Sequence, residues 1–490
     1  MNTNEQQELA YAYEGPPALH AHIGQVMAYL VYSGGHEPRP LGAAVTLQAA
    51  GTQQRLDVTF YQQGQEWHTH AYILAGADLK QTSKELLLHW YDRCFGQGQR
   101  NPWGTLMGVR PTKLVHHLRD QGLSAPAIEE TLVRHYHVTP AIAQELLAMT
   151  ALQRPFIERP RREAALYIGI PYCPSHCLYC SFPSRLCQTE TAAGLLAFAA
   201  AVEEDIRDID SLCRQYGLRV TSAYIGGGTP TCLPKDALAR ILQAVAVSFP
   251  DLSEWTVEAG RPDTADVATL ALLREYGVDR ISVNPQTMQQ RLLDLLGRRH
   301  SVADVYTMYE NCRRLGFSVV NMDFIAGLPG QTAADMQENM EIVCQLHPEN
   351  VTIHTLALKK KAPLFHHPLR QAIPPAGEVA ASLSRSRQLL AQAGYIPYYM
   401  YRQKYMAASF ANIGYALPQT ESQYNIQMME ERQTILAAGP GSTTKFLASD
   451  GHSLEKVYMP KDPDTYRQLL AQRMAQRRRI CAMIYGGDDT

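Results

Sequence analysis

The 490-residue chain lacks the features that would place it in a membrane or on nucleic acid. Its Lys and Arg residues number 45 and its Asp and Glu residues 47, so its formal net charge is −2 and it has no general attraction for a polyanion. Residues 1–7 have neither the basic nor the apolar part of a signal peptide. The longest apolar stretch, residues 192–202, is too short to span a bilayer. We therefore expect a cytoplasmic protein with no nucleic-acid partner and no stable membrane insertion.

Two further features narrow the class of protein: the absence of a dinucleotide-binding fingerprint and the presence of ten cysteines without an export signal. No G-x-G-x-x-G fingerprint occurs, so the sequence gives no support to a dinucleotide-binding Rossmann domain. Ten cysteines without an export signal suggest metal or thiol chemistry in a reducing compartment, and not a disulfide framework. Outside one motif the cysteines are scattered, and we expect most of them to be small buried apolar residues: Cys94, Cys187, Cys213, Cys232, Cys312, Cys344 and Cys481.

The remaining three cysteines form the motif C-x3-C-x2-C at residues 173–180, directly after an apolar run that predicts a buried strand. Thiols this close cannot all pair as disulfides, and one would be left over. They can instead hold a metal cluster. A [4Fe–4S] cluster normally takes four thiolates, so three would leave one iron open to a small molecule. A structural zinc site is the alternative, and it would need a fourth ligand such as His176 or Cys187.

The first 155 residues are predicted to form a separate α+β domain. Residues 41–50 and 55–61 alternate as strands do, and residues 79–95 and two segments within 125–152 have helical periodicity. Pro111 suits the first turn of a helix, where Arg110 and Lys113 could hold an anion, although a capped surface helix is the simpler interpretation. Residues 155–162, with two prolines and three arginines, are predicted to be a linker.

From residue 164 onward, strands alternate with helices. Apolar β-branched runs occur at residues 165–170, 220–225, 255–258, 279–283, 318–325 and 350–357. Helical periodicity occurs at residues 191–216, 234–248, 265–276, 302–315, 332–346 and 376–393. Six such units predict a parallel α/β structure, and an open or partial barrel suits the count. In barrels the chemistry lies at the carboxyl ends of the strands.

Residues suited to ligand binding follow these predicted strands. The second strand leads into Gly-Gly-Gly-Thr-Pro at residues 226–230, where glycines let the backbone approach a ligand closely. Glu258, Gln286 and Asp323 end or follow the next three strands. Carboxylates and amides are suitable hydrogen-bond partners for a ribose diol and an amino group. Each residue alone could be a strand cap, but together they favour one ligand site.

The combination of motifs resembles the radical SAM enzymes and, within them, the oxygen-independent coproporphyrinogen III oxidase family. It consists of the cysteine motif with Tyr179 before the last cysteine, G-G-G-T-P, the strand-end Glu258, R-I-S with a later Gln, and D-x-I-x-G-L-P-x-Q-T at residues 323–332. The resemblance covers residues 165 to about 360. The family includes dehydrogenases of haem synthesis, haem chaperones and haem-degrading relatives.

The resemblance implies a radical SAM partial (β/α)6 barrel at residues 164–360, with a [4Fe–4S] cluster held by Cys173, Cys177 and Cys180. The free iron of that cluster would chelate S-adenosylmethionine, and an electron from the cluster would cleave it to methionine and a 5′-deoxyadenosyl radical. Motif positions place the following residues around S-adenosylmethionine: Tyr167, Tyr179, Gly227, Gly228, Thr229, Glu258, Gln286, Arg298, Asp323 and Ala357.

The flanking segments resemble the Z-type branch of the family, at residues 108–113, 399–406 and 424–436, and residues 439–442 resemble its glycine turn. The expected activity is the oxidative decarboxylation of coproporphyrinogen III to protoporphyrinogen IX in haem biosynthesis, with an electron donor such as a flavodoxin or ferredoxin. Residues 361–490 are then expected to form a cap over the tetrapyrrole. Arg402 and Lys404 could meet its propionates, although an ordinary amphipathic core with a basic edge is an equal alternative.

Two positions depart from the pattern of the established dehydrogenases. Those enzymes have a histidine where this chain has Gly169, and a fourth cysteine where it has Phe182. The cluster needs neither residue, so radical chemistry is a firmer expectation than action on coproporphyrinogen. A haem chaperone without decarboxylase activity, or a radical SAM enzyme acting on haem, are the alternatives.

Overall fold

The computed structural model describes residues 11–32, 42–62, 64–95, 102–106, 110–182, 184–402 and 410–487. The chain forms two compact units, of which the first comprises residues 1–150 and 401–411 and the second residues 151–400 and 412–490. The division into three domains at residues 155, 164 and 360 stays a prediction.

No helix in the described ranges is both long enough and apolar enough to cross a membrane.

The first unit is built on a four-stranded sheet. Its elements are β1 (Tyr11–Glu14), α1 (Pro17–Tyr32), β2 (Gly42–Ala50), β3 (Gln53–Gln62), β4 (Gln65–Leu74), α2 (Leu79–Phe95), α3 (Thr112–Asp120), α4 (Ala125–Glu130), a π-helix (Thr131–His135) and α5 (Pro140–Ile157). The strands lie in the order β1-β2-β3-β4. One face of the sheet buries alternate side chains, such as Val45, Val58 and Phe60, in a core shared with Met27 of α1 and Leu87 of α2.

The predicted strands and helices of this unit are confirmed, with small shifts in their ends. Leu41, the predicted start of β2, lies outside the described residues. The predicted linker begins too early, because α5 continues through Pro155 to Ile157. Pro111 is the cap residue before α3 and not its first helical residue.

The second unit contains the predicted strand–helix alternation. Its elements are β5 (Glu163–Ile170), β6 (Tyr172–Cys173), β7 (Arg185–Leu186), α6 (Ala192–Tyr216), β8 (Arg219–Gly227), α7 (Lys235–Ser248), β9 (Glu254–Glu258), α8 (Val267–Glu275), β10 (Arg280–Gln286), α9 (Gln290–Leu295), α10 (Val302–Arg314), β11 (Val319–Ala326), α11 (Ala333–Leu346), β12 (Asn350–Thr355), α12 (Ala376–Gln392), β13 (Ile396–Arg402), β14 (Ala411–Ala416), α13 (Gln423–Glu430), β15 (Thr434–Ala438), β16 (Thr443–Leu447), β17 (Leu454–Tyr458) and α14 (Pro463–Tyr485).

Eleven strands form one open sheet in the order β13-β14-β12-β11-β10-β9-β8-β5-β15-β16-β17. The seven strands from β12 to β15 along this order are parallel to one another, and the strands outside them, β14 and β16, pair antiparallel. The parallel run contains all six predicted strands and confirms the predicted α/β class. The strand β15, which pairs with β5 through Leu436↔Leu166, is an addition that the sequence did not predict. Strands β13 to β17 all come from the region expected to form a cap.

A buried ion network fixes the turn that follows β15. Arg477 of α14 donates to Asp205 Oδ1 and Asp208 Oδ2 of α6, at 2.6 Å each, and all three side chains are buried. Asp205 Oδ2 accepts hydrogen bonds from the Gly439 amide at 3.1 Å and from the Tyr466 hydroxyl at 2.7 Å. A buried charge is tolerated only when it is paired and hydrogen-bonded, and here the pairing holds the Gly439 turn against α6.

Candidate active site at the carboxyl ends of the parallel strands

The three cysteines of the motif lie at the carboxyl end of β5. Cys173 ends the short strand β6; Cys177 is buried, and Cys173 and Cys180 are partly exposed. The loop is held from both sides, because the Leu178 amide donates to the Leu296 carbonyl at 3.1 Å and the Leu178 carbonyl accepts from the Leu364 amide at 2.8 Å.

Hydrogen-bond donors point at the sulfur atoms. Thr229 Oγ1 lies 3.7 Å from Cys173 Sγ, and Nη1 atoms of Arg261 and Arg298 lie 3.7 and 3.8 Å from Cys177 Sγ. Burial raises the pKa of the Cys173 thiol, so a bound cation is needed to hold it as a thiolate. Donors to cluster sulfurs are one of the means by which proteins set a cluster's reduction potential. Arg261 was missed at the sequence level.

At least two of the three motif sulfurs lie too far apart to bind one zinc ion. Among the described residues, only Asp57, His68 and His70 bring three ligand atoms of His, Cys, Asp or Glu within 4.8 Å of one another. The sulfurs of Cys173, Cys177 and Cys180 are therefore not all within that distance. Sulfur ligands of one tetrahedral zinc ion lie about 3.8 Å apart. Cys187, a candidate fourth zinc ligand, donates instead to the Cys232 carbonyl at 3.0 Å.

Arg298 links the cysteine loop to two strand ends. Its Nη1 donates to the Tyr179 hydroxyl at 3.0 Å, and its Nη2 donates to the carbonyls of Gly260 and Asn284 at 2.8 and 2.6 Å. Within the described residues, the buried Nε atom of Arg298 has no hydrogen-bond partner. The predicted residues Tyr179 and Arg298 therefore lie together beside Cys177.

Glu258 is the last residue of β9, and its carboxyl group lies against the glycine segment at the end of β8. Its Oε1 accepts from the Tyr224 hydroxyl at 2.7 Å and its Oε2 from the Gly227 amide at 3.3 Å. A Cβ atom at Gly226 would lie 2.7 Å from the Glu258 carboxyl group, so a larger residue there would displace it. Burial, assisted by the charge of Asp323 and opposed by the Tyr224 hydrogen bond, raises the pKa of Glu258 to about 7.

Asp323 is the second carboxyl group at this edge, and it has the opposite pKa shift. Burial alone would raise its pKa, but interactions with His354, whose Nε2 lies 3.6 Å from Oδ2, and a 2.8 Å hydrogen bond from Asn321 outweigh burial and lower the pKa. Two neighbouring carboxyl groups with pKa values pushed apart are typical of functional sites.

Gln286 ends β10 in a strained conformation. Its φ is +69°, and the pairing of β10 with β11 is irregular between Val283 and Gln286. Its side-chain Oε1 is buried without a hydrogen-bond partner among the described residues. Strain and an unpaired buried acceptor both cost stability, and such features are concentrated at functional sites.

The remaining predicted residues lie along the same edge. Gly228 donates its amide to the Ile170 carbonyl at 2.8 Å, and Thr229 donates its amide to Tyr172 at 2.7 Å. Ala357 lies two residues beyond the end of β12. Tyr167 lies in a stack of three nearly parallel rings with Tyr224 and Tyr424, with centroids 4.7 to 6.3 Å apart; Tyr424 came from a region expected to be a cap.

Of the two basic residues expected at propionates, the structure describes only Arg402. Arg402 is buried in the first unit, where its guanidinium lies 4.7 Å from the centroid of the Trp103 ring and donates to the Leu106 carbonyl. The expectation for Arg402 was therefore wrong. Lys404 lies outside the described residues, as do residues 107–109 of the N-terminal segment that resembles the Z-type branch.

The two departures have structural explanations. A Cβ atom at Gly169 would lie 2.6 Å from the Pro440 carbonyl oxygen, so the backbone after β15 fills the space that a side chain would need. Phe182 is 66% exposed, and Lys359 Nζ lies 5.9 Å from the centroid of its ring. Neither position can supply the group that the dehydrogenase pattern has there.

Comparison with known proteins places these features in a family. Residues 167–343 match the radical SAM superfamily. The chain is 35% identical over 377 residues to the oxygen-independent coproporphyrinogen-III oxidase-like protein HemZ of Bacillus subtilis, which covers 76% of this chain and 75% of that protein. It is 32% identical over 203 residues to the heme chaperone HemW of Bacillus subtilis, covering 41% of this chain and 52% of that protein.

A solved structure shares the fold. Coproporphyrinogen III oxidase (HemN) from Escherichia coli, a radical SAM enzyme, superposes with a TM-score of 0.51 at 20% sequence identity, over 69% of this chain and 79% of that one. At this identity the likeness concerns the fold alone, and it agrees with the partial barrel predicted from the sequence.

Proposed function

Because the chain belongs to the radical SAM superfamily and, within it, to the oxygen-independent coproporphyrinogen III oxidase-like family, we propose that it is an oxidoreductase that decarboxylates coproporphyrinogen III to protoporphyrinogen IX in haem biosynthesis. The family uses a [4Fe–4S] cluster and S-adenosylmethionine, which together supply a 5′-deoxyadenosyl radical. Each of two propionates would become a vinyl group: one hydrogen atom would pass to the radical and form 5′-deoxyadenosine, carbon dioxide would leave, and one electron would pass to an external one-electron acceptor. The single observation that carries the proposal is the set of side-chain donors to Cys173 and Cys177 at the strand edge that also holds Glu258.

The chain's own residues would bind and orient the reactants. Cys173, Cys177 and Cys180 would hold three irons, and the cationic donors Arg261 and Arg298 would stabilise the negative charge on the Cys177 sulfur. These roles fit the geometry, because the two guanidinium groups reach the Cys177 sulfur from different segments, one after β9 and the other after α9.

The second part of the site would hold S-adenosylmethionine. Glu258 and Asp323 offer carboxylates and Gln286 an unpaired acceptor, which suits hydroxyl and ammonium donors. The proposed contact set also includes the residues that surround these three along the strand ends: Tyr167, Tyr179, Gly227, Gly228, Thr229, Arg298 and Ala357.

A basic surface beside the cysteine loop supports an acidic one-electron donor of the flavodoxin or ferredoxin class. Lys359, Lys360 and Lys361 are exposed, and their segment is tied to the loop by the hydrogen bond between Leu364 and Leu178. The sequence has no Asp or Glu between residues 349 and 378. Complementary charge speeds the encounter of partner proteins and fixes their orientation. We place the reaction in the cytoplasm, because free thiols persist in a reducing compartment.

The test is a single-turnover assay on anaerobically reconstituted protein. With reductant, S-adenosylmethionine and coproporphyrinogen III, we expect 5′-deoxyadenosine and a tetrapyrrole that loses two carboxyl groups stepwise, measured by mass spectrometry. Cys177→Ser, which removes the sulfur that both arginines contact, is the matched control and should give neither product. If 5′-deoxyadenosine forms while coproporphyrinogen stays unchanged, the proposed substrate is wrong.

A second candidate function is haem binding without decarboxylation. It is favoured by the Pro440 carbonyl at Gly169, which leaves no room for the histidine of the established dehydrogenases, and by the similarity to a protein named a heme chaperone. Stoichiometric binding of haem, with no 5′-deoxyadenosine that depends on a tetrapyrrole, would support this function. Haem that is consumed together with S-adenosylmethionine would indicate an enzyme acting on haem.

A further inference from the structure

The open face of the N-terminal sheet carries a cluster of ligand-type side chains with no part in the site described above. Strands β3 and β4 pair antiparallel, with Asp57 opposite His70 and Thr59 opposite His68. Residues directly opposite each other, and residues two apart on one strand, share a face of a sheet. Val58, between Asp57 and Thr59, is fully buried on the other face, so the face of Asp57 and Thr59 points away from the core.

The three side chains are close enough to share one ion. Ligand atoms of Asp57, His68 and His70 all lie within 4.8 Å of one another, a closeness that no other such trio in the described ranges reaches. His68 Nε2 lies 3.8 Å from Asp57 Oδ1. Arg55 donates twice to Asp57, at 3.1 and 2.8 Å, and both bonds go to Oδ1. The second carboxylate oxygen therefore stays available to a ligand.

A neighbouring hydroxyl orients one imidazole for metal binding. His68 Nδ1 lies 3.0 Å from Thr59 Oγ1, which can accept a hydrogen bond from it. In the tautomer with the proton on Nδ1, the lone pair of Nε2 is directed at Asp57. In the other tautomer Nε2 carries the proton and faces the carboxylate as a donor; a cation bound between Nε2 and Asp57 selects the form with the proton on Nδ1. Metal-binding histidines usually donate their other ring N–H to such an acceptor. The His70 ring is also held, because it packs edge-on against Tyr72 with centroids 5.9 Å apart.

We propose that Asp57, His68 and His70 form a binding site for a divalent first-row transition-metal ion such as Zn²⁺ or Co²⁺. Two imidazoles and one carboxylate favour these metals over Mg²⁺ and Ca²⁺, which prefer oxygen ligands alone. The His68 side chain is 59% exposed, so the other coordination positions would be open to water or to an external ligand. The site is independent of the proposed tetrapyrrole chemistry.

The test is a metal titration of the full-length, cluster-loaded protein under anaerobic conditions. We expect calorimetry with Zn²⁺ to show one more equivalent in the wild type than in the His68→Gln/His70→Gln double variant. Co²⁺ should give visible absorption bands that the same variant loses. His89→Gln, on the exposed side of α2, is the matched control and should bind as the wild type does.

A further variant separates a metal site from a plain ion pair. Thr59→Val removes the group that orients His68, and we expect it to weaken Zn²⁺ binding by about 10- to 100-fold. Far-UV circular dichroism should be unchanged in every variant. Equal stoichiometry and equal Co²⁺ spectra in the wild type and the double variant would show that the cluster is an Asp–His ion pair, and the proposal would be wrong.

Discussion

The pKa of Glu258 makes binding of S-adenosylmethionine depend on pH. Burial and the charge of Asp323 raise this pKa to about 7, and an ammonium or hydroxyl donor binds the ionised carboxylate more strongly than the neutral acid. The ionised fraction rises with pH through the pKa, so the affinity should fall as the pH drops below it. A group of pKa 7 is ionised about tenfold less at pH 6 than at pH 8, which corresponds to a loss of about 1.4 kcal/mol of binding free energy.

The assay is calorimetric titration of cluster-loaded protein with S-adenosylmethionine between pH 6 and pH 8.5. The ligand's own amino group also titrates, so the measured quantity is the difference between the wild type and Glu258→Gln. That variant should bind more weakly at pH 8 and lack the part of the pH dependence that Glu258 contributes. Glu275→Gln, exposed on α8, should keep it. Identical pH profiles for the wild type and Glu258→Gln would refute the reasoning.

Three further substitutions test the surroundings of the site. Gly169→Ala should lower the free energy of unfolding by about 1–3 kcal/mol in urea titrations, because its Cβ would lie 2.6 Å from a carbonyl oxygen; Gly377→Ala, with nothing within 4 Å, should not. Arg477→Met should cost about 3–5 kcal/mol by leaving the buried carboxylate of Asp205 without its ion-pair partner, whereas Arg478→Met, whose side chain is 58% exposed and whose partner Asp208 keeps Arg477, should cost about 1 kcal/mol or less. Arg261→Gln should lower the reduction potential of the cluster in a redox titration, because it removes a positive charge and a donor at a ligand sulfur; an unchanged potential would contradict that role.

The parallel strands could be predicted from the sequence because both of their faces are buried. The strand β5 is an almost continuous apolar run after Glu163, and the helices between the strands repeat every 3.6 residues. The strand β15 could not be found in this way. Its sequence, Thr-Ile-Leu-Ala-Ala, suits a buried helix as well as a strand, and its place beside β5 depends on pairing between distant parts of the chain. The short helix α9 has too few residues to show a period.

The residues of the site also fall into those that could be predicted from the sequence and those that could not. Residues that end a predicted strand, such as Glu258 and Asp323, could be placed at one edge, because parallel strands share their direction. Arg261 could not be assigned, since only the folded chain brings its guanidinium to Cys177. Its position three residues after Glu258, in Gly-Arg-Pro, is the one signal that could have pointed to it. The basic character of Arg402 suggested an anion partner, but its aromatic neighbour Trp103 is almost 300 residues away in the chain.

The pairing of β15 with β5 constrains the order in which the chain folds during its synthesis on the ribosome. The strand that leads to the cysteines is synthesised about 270 residues before its partner, a delay of about 13 to 54 s at the usual rates of translation. During that interval one edge of β5 is without its neighbour, and unpaired strand edges are prone to wrong associations. We expect the cysteine loop to reach its final surroundings only after Ala438 has been made, so insertion of iron and sulfide would come late in the maturation of the chain.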